Sequence, residues 1–309
     1  MTQFAHTRPP AGRLTRLGVV IDARDPGREA MARLCDRAGL GAVWLDDLAD
    51  GDPNRESAGL WPAAVALAGE LQRASLGVTL RSTEIDLAQV TTMALQLADR
   101  LVGRFELSLA GADPDLVRAV RASFASSAEN RRPRVSATAA ELADLPPLLQ
   151  LVDDIVLRAW NFSDLESAAD EARAEALELG RSADTLGVAV TLPVSIGRTE
   201  AEASARADRD AVFARLGHPR DIGIFGTLED CQDRVIALAH AGVTDLRAIL
   251  PSSIDVHDVI AQLTAMTVGT IDVLVPGSLR SPAPPPPAGW GGRPDRPPTS
   301  RVSGGSRRR

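Results

Sequence analysis

Four aspartates crowd the stretch GAVWLDDLADGD, at Asp46, Asp47, Asp50 and Asp52, directly after an apolar run. Carboxylates this dense can hold a cation, move protons or simply face water. A calcium loop counted from Asp46 fails. Its third position is Leu48, which has no ligating atom, and its twelfth is Ser57, with Glu56 one place early. Zinc chemistry has equally little to work with. His6 lies in the N-terminal stretch, His218 in a loop, and His240 and His257 in helical patterns, with no HxH or HExxH pair. No histidine is placed to serve a nucleophilic serine, and GxSxG is absent. Lysine and tyrosine do not occur, which removes Schiff-base lysines and tyrosine general acids.

The elements that must carry any chemistry alternate regularly. Strand patterns fall at 16–22, 42–47, 75–82, 104–110, 133–138, 154–160, 186–195 and 245–251, with amphipathic helical stretches between them. Thr199 with Glu202 and Thr227 with Asp230 have the spacing of capping boxes. Eight strands separated by helices imply parallel pairing through right-handed crossovers. The expected fold is therefore α/β, an eight-stranded parallel (β/α)8 TIM barrel over 15–275. A doubly wound sheet is the alternative, but VVIDARDPGRE after the first strand has no GxGxxG.

In such a barrel the reactive groups sit at the C-terminal strand ends. Period-two alternation turns Glu106, Ser108 and Ala110 inward and Phe105, Leu107 and Leu109 toward the helices. It likewise turns inward Thr79 and Arg81, Ser136 and Thr138, Arg158 and Trp160, and Thr191, Pro193 and Ser195. Hydroxyls and two arginines suit an anionic or amide-rich ligand. Glu106 is a candidate buried acid or base, or else the structural partner of an arginine such as Arg104.

Charge is unevenly distributed. From Pro276 onward seven arginines face one aspartate, a surplus of six within a total of −7, which leaves −13 on the rest. An acidic body argues against a nucleic-acid partner. The Pro/Gly/Ser/Arg-rich stretch 276–309 is expected to be disordered, and residues 1–14 to be a flexible N-terminus. Cys35 and Cys231 suggest no disulfide framework, and no apolar run reaches the roughly 20 residues a membrane span needs. The expectation is a cytoplasmic protein with no membrane partner.

Three segments, in order, resemble the luciferase-like monooxygenase family of flavin- or coenzyme F420-dependent barrel oxidoreductases. They are DRAGLGAVWLDDL, ALQLADRLVGRFELSLAGA and FGTLEDCQDRVIALAHAGVTDLRAILP, and the resemblance spans about residues 16–266. It implies F420 or FMN across the C-terminal mouth, a small organic substrate, and a homodimer or a heterodimer with a paralogous barrel. Asp47 matches the acid after the second strand, beside Asp46 at the rim. Arg81-Ser82 falls where many relatives support the ring with a cis peptide. Ala110-Gly111-Ala112 takes the place of the family's glycine-rich turn. Thr138 would face the phosphate or ribityl portion, with Arg158, Ser195 and Arg198 as further phosphate or carboxylate contacts. Because the cofactor carries the redox chemistry, the protein need only position and polarise it.

The chain also departs from that pattern. Leu48 stands where many relatives have histidine, Ala110 and Ala112 replace two glycines, and the 111–132 segment is short. These departures leave a second reading open, a non-catalytic paralogue serving as a cofactor-binding or partner subunit.

Overall fold

The computed structural model describes residues 14–48, 59–81, 85–111, 113–128, 131–139, 141–158, 162–181, 185–214, 219–252 and 255–266. The expected flexible start (apart from Leu14) and the 276–309 tail lie outside the described residues, as do Ser82, Ala112 and Trp160.

The first half of the barrel runs β1 (Arg16–Asp22), α1 (Arg28–Ala38), β2 (Ala42–Asp46), α2 (Leu60–Glu70), β3 (Ser75–Arg81), α3 (Leu87–Arg100) and β4 (Phe105–Ala110). A single helix, α4 (Pro114–Ser123), joins β4 to β5 (Arg134–Ala139), so the connection is as short as expected. Then follow α5 (Leu145–Leu149), β6 (Asp154–Arg158), α6 (Phe162–Glu178) and β7 (Gly187–Ile196). After β7 the chain inserts α7 (Glu200–Arg209), α8 (Ala211–Ala214), α9 (Pro219–Ile222) and a short β8 (Ile224–Gly226). It closes with α10 (Leu228–Ala241), β9 (Asp245–Ile249) and α11 (Val256–Met266).

All pairings are parallel. Consecutive strands from β1 to β7 are neighbours, β7 pairs with β9 from Ala189 to Pro193, and β9 pairs with β1, which closes eight strands into a barrel. The expected TIM barrel is the observed one, with β9 as the eighth strand of the sequence reading. The added strand β8 pairs with the last three residues of β7.

Local signals set the helix ends. Asp86 and Asp113 accept N-terminal N–H groups of α3 and α4, and Pro114 opens α4 with a fixed φ. Thr227 and Asp230 form the expected capping box on α10. At Thr199 only half of the box forms: its side chain accepts from the Glu202 N–H, while Glu202 takes the N–H of Arg198 instead. Gly39 and Gly242, at φ 83° and 102°, end α1 and α10 in the left-handed region where a side chain is strained.

Alternation sends one face of each strand to an outer apolar layer under the helices. Phe105, Leu107 and Leu109 of β4 lie in it, as expected, with Val19 and Ile21 of β1, Val43 and Leu45 of β2, and Val188 and Val190 of β7. Each such side chain stabilises the fold by about 1.5–3 kcal/mol when fully buried. The opposite faces point into the barrel.

Candidate functional site

The inside of the barrel is layered, and its lowest layer is ionic. Arg16, Arg134, Asp154 and Asp245 are the first residues of β1, β5, β6 and β9, and Glu106 is the second of β4, so all stand at the N-terminal end. Arg16 grips Glu106 with both terminal nitrogens, one of these bonds being 2.9 Å, and reaches Asp245 at 2.7 Å. Arg134 bonds both oxygens of Asp154 at 2.8 and 3.0 Å. Burial opposes the Asp245 charge, but Arg16 and Arg247 outweigh it and hold that carboxyl below the ordinary range. For Asp154 burial wins over Arg134, and its pKa rises.

Of the two readings of Glu106, its contacts are those of an arginine's structural partner. Its partner is Arg16, whereas Arg104 donates to the Ala74 carbonyl. It belongs to the floor, at the end opposite to where barrel enzymes place their chemistry.

Above the floor sits a plate of two large side chains. The guanidinium of Arg247 lies over the Trp44 ring at 3.4 Å from the centroid, and its Nε donates to Asp245 at 3.2 Å. Such a stack is worth up to about 2 kcal/mol when desolvated. Small inward residues make room for it. A Cβ on Gly77 would stand 2.1 Å from the Trp44 ring, and one on Gly18 would stand 3.1 Å from it. The sequence reading missed Arg16, Trp44, Asp245 and Arg247. The signal for Arg16, Asp245 and Arg247 was the inward parity of charged residues on the first and last strands.

The C-terminal ends form the mouth. Asp22, Asp46, Arg81, Ala110 and Arg158 are the last residues of β1, β2, β3, β4 and β6, and Asp47 follows directly. Asp46 is buried, while Asp47, Arg81, Ala110 and Thr138 are partly exposed. Arg24 donates to Asp47 Oδ2 at 2.7 Å, and Arg81 donates to the Asp47 carbonyl at 3.1 Å. The second oxygen, Asp47 Oδ1, is buried with no hydrogen-bond partner among the described residues. Burial, with Asp47 and Asp46 nearby, raises the Asp22 pKa against the pull of Arg24. Gly111 turns the chain after β4 at φ 67°, the one glycine kept from the resembled turn. Of Arg158 only its place in β6 is described.

Two candidates stand elsewhere. Ser195 is buried and donates its hydroxyl to the Ala203 carbonyl of α7 at 3.0 Å, so it is committed to holding the insertion rather than to a ligand. Arg198 is exposed in the turn between β7 and α7. The insertion brings a second apolar cluster to the barrel interior, in which Phe213 and Phe225 join Val20, Trp44 and Ile249, with Leu48 and Val212 packed at its edge. Leu48 thus has an apolar role at the place of the family's histidine. Among the described residues no group of three or more histidine, cysteine or acidic side chains could hold a metal ion, and no helix is long and apolar enough to cross a membrane.

No protein-family model matches the chain, and no curated protein matches it in sequence. Solved structures do. An F420-dependent secondary alcohol dehydrogenase, solved in complex with an F420–acetone adduct, superposes with a TM-score of 0.68 at 13% identity, over 84% of this chain and 98% of that one. The fold is that of the luciferase-like and F420-dependent oxidoreductases. A riboflavin lyase with modified FMN and riboflavin has a TM-score of 0.65 at 13% identity, covering 84% and 93% of the two chains. The coenzyme F420-dependent tetrahydromethanopterin reductase of Methanopyrus kandleri has a TM-score of 0.63 at 14% identity, covering 83% and 98%. The same fold is thus common to all three, at sequence identities that carry the fold alone.

Proposed function

We propose that this luciferase-like barrel is an oxidoreductase that uses F420 or FMN at its C-terminal mouth to act on a small organic substrate. The observation that carries the reading is Asp47, an acid at the rim that is clamped by Arg24 and keeps one oxygen without a partner. A buried carboxylate oxygen left unsatisfied is costly, and a ligand donor relieves that cost. The likeness to F420- and FMN-containing barrels supports the cofactor class.

When bound, the cofactor supplies the redox chemistry, hydride transfer to or from the substrate. The chain's own residues position it. Asp47 accepts a ligand hydrogen bond on Oδ1, with Asp46 behind it. Arg81, Ala110, Gly111, Thr138 and Arg158 form the rest of the rim, Ser82 is kept as a candidate from the resemblance alone, and Arg198 is an outlying anion contact. Asp22, whose pKa burial raises, keeps its proton to a higher pH than an ordinary aspartate.

The same reading extends to assembly and compartment. Helix α2 exposes Pro62, Val65 and Gly69, with the Arg100 guanidinium lying against Val65 and Gly69, and a homodimer or a heterodimer with a paralogous barrel rests on the resemblance alone. Both cysteines are buried and free, with thiols pushed up to about 12, which suits a reducing cytoplasm.

Fluorescence titration of the purified protein with oxidised and reduced F420 and FMN tests the proposal. Saturable binding of one of them is expected, weakened about tenfold in Asp47→Ala, equivalent to about 1.4 kcal/mol. No change with either cofactor at tens of micromolar would sink it.

A further inference from the structure

Asp210 stands between α7 and α8 and is only 3% exposed. Its carboxylate nevertheless takes four hydrogen bonds. Oδ1 accepts from the N–H groups of Val212 and Phe213 at 2.9 and 3.2 Å. Oδ2 accepts from the Ser252 N–H at 2.6 Å and from the Ser252 hydroxyl at 2.7 Å. Ser252 lies in the turn after β9, so one side chain ties the insertion after β7 to the turn that follows the last barrel strand. Hydrogen bonds to a carboxylate are roughly twice as strong as neutral ones, and four donors meet the demands of a buried charge.

Beyond the β7–β8 ladder, the insertion has side-chain anchors on β7. Ser195 Oγ bonds the Ala203 carbonyl at 3.0 Å, and Arg206 Nη1 bonds the Ile196 carbonyl at 2.7 Å. Ser195 shares the inward parity of Thr191, so α7 packs against the inner face of the end of β7. With Asp210 fastened to Ser252, the segment runs from that strand to the β9 turn. Phe213, whose N–H is held by Asp210, then packs 6.0 Å from Phe225, ring centroid to ring centroid, in the apolar cluster that reaches Val20, Trp44 and Ile249.

We propose that Asp210 is a positioning residue: through Ser252 it fixes α8 and Phe213, buried in the apolar cluster of the barrel interior, and thereby sets cofactor affinity at the mouth without touching the ligand. This rests on the reading of the mouth as a cofactor site. An asparagine in its place keeps one acceptor and turns an NH2 toward N–H and O–H donors, so one end of the clasp is lost.

Hydrogen exchange read by mass spectrometry, paired with cofactor titration, tests the proposal on the full chain. In Asp210→Asn, exchange is expected to speed up at least about tenfold in peptides covering 200–214 and 250–252, with 16–22 and 105–110 unchanged. The dissociation constant of whichever cofactor binds the wild type is expected to rise about tenfold. Ser252→Ala is expected to give the same pattern more weakly, and Ser252→Thr, which keeps the hydroxyl, to restore it. Should Asp210→Asn not fold, the Ser252 pair carries the comparison. Unchanged exchange at 200–214, equal loosening of the barrel strands, or unaltered affinity beside a loosened segment each overturns the assignment. If the wild type binds neither F420 nor FMN, the cofactor reading falls, and the exchange pattern alone decides whether Asp210 holds the insertion.

Discussion

Arg247 lays its guanidinium over the indole of Trp44, 3.4 Å from the ring centroid, while its Nε holds Asp245. One side chain therefore joins the ionic floor to the plate above it. Arg247→Met keeps most of the volume and deletes the charge, leaving Asp245 to Arg16 alone. Loss of one partner from a buried ion network is expected to cost about 3 kcal/mol. Urea unfolding followed by far-UV circular dichroism measures it, and a loss under about 1 kcal/mol would show that Arg16 suffices.

Gly77 gives the second prediction. A methyl there meets Trp44 at 2.1 Å, inside any permissible contact, so Gly77→Ala is expected to destabilise by about 1–3 kcal/mol through overpacking. Trp44→Leu also destabilises by itself, but the double variant is expected to be more stable than the two losses added. A double-mutant cycle with zero coupling would contradict the packing described.

Asp245 makes the fold sensitive to acid. Its pKa is held below the ordinary value by Arg16 and Arg247 against burial, so its contribution is present above about pH 4 and is lost as the pH falls through the depressed value. Asp245→Asn is expected to be much less stable than the wild type at pH 7. The gap between them should narrow below about pH 4. Thermal melts of both proteins across the acid range check the sign.

Asp22 has the opposite sign. Its raised pKa means that ionisation works against the fold, so its stabilising share is complete below about pH 4 and is lost as the pH rises through the folded value. Asp22→Asn keeps an acceptor for the Arg24 N–H and removes the repulsion with Asp46 and Asp47. The residue is only partly buried, so a rise in Tm of no more than about 2 °C is expected at pH 7, and none at pH 3. A lower Tm at pH 7 would show that the acid cluster is held together rather than pushed apart.

The eight barrel strands were legible because each carries an apolar face of period two. Strand β8 was not, since Ile224, Phe225 and Gly226 are too few to show a period. The inward parity of β4 came out correctly, but it left the height of Glu106 in the barrel open. Parity says which face a side chain shares, whereas height along the barrel depends on strand tilt and register. The rim acids Asp46 and Asp47 were visible as types in a loop. Asp210 was hidden inside one amphipathic stretch, where nothing local announces that its partner lies 42 residues further on.

Strand β7 outruns its neighbours. Its ladder to β6 ends at Thr191 and its ladder to β9 at Pro193, yet it continues to Ile196. The last three residues of the strand act as a bracket: they carry β8 beyond the ring's ladders, while Asp210 and Phe213 bring the insertion back to the β9 turn and the barrel interior. Changes between 197 and 223 that keep Asp210 and Phe213 are carried by the strand tip beyond the ring's ladders. The barrel can be retained while its cap is exchanged, and new ligand preferences can arise there without renegotiating the charged base.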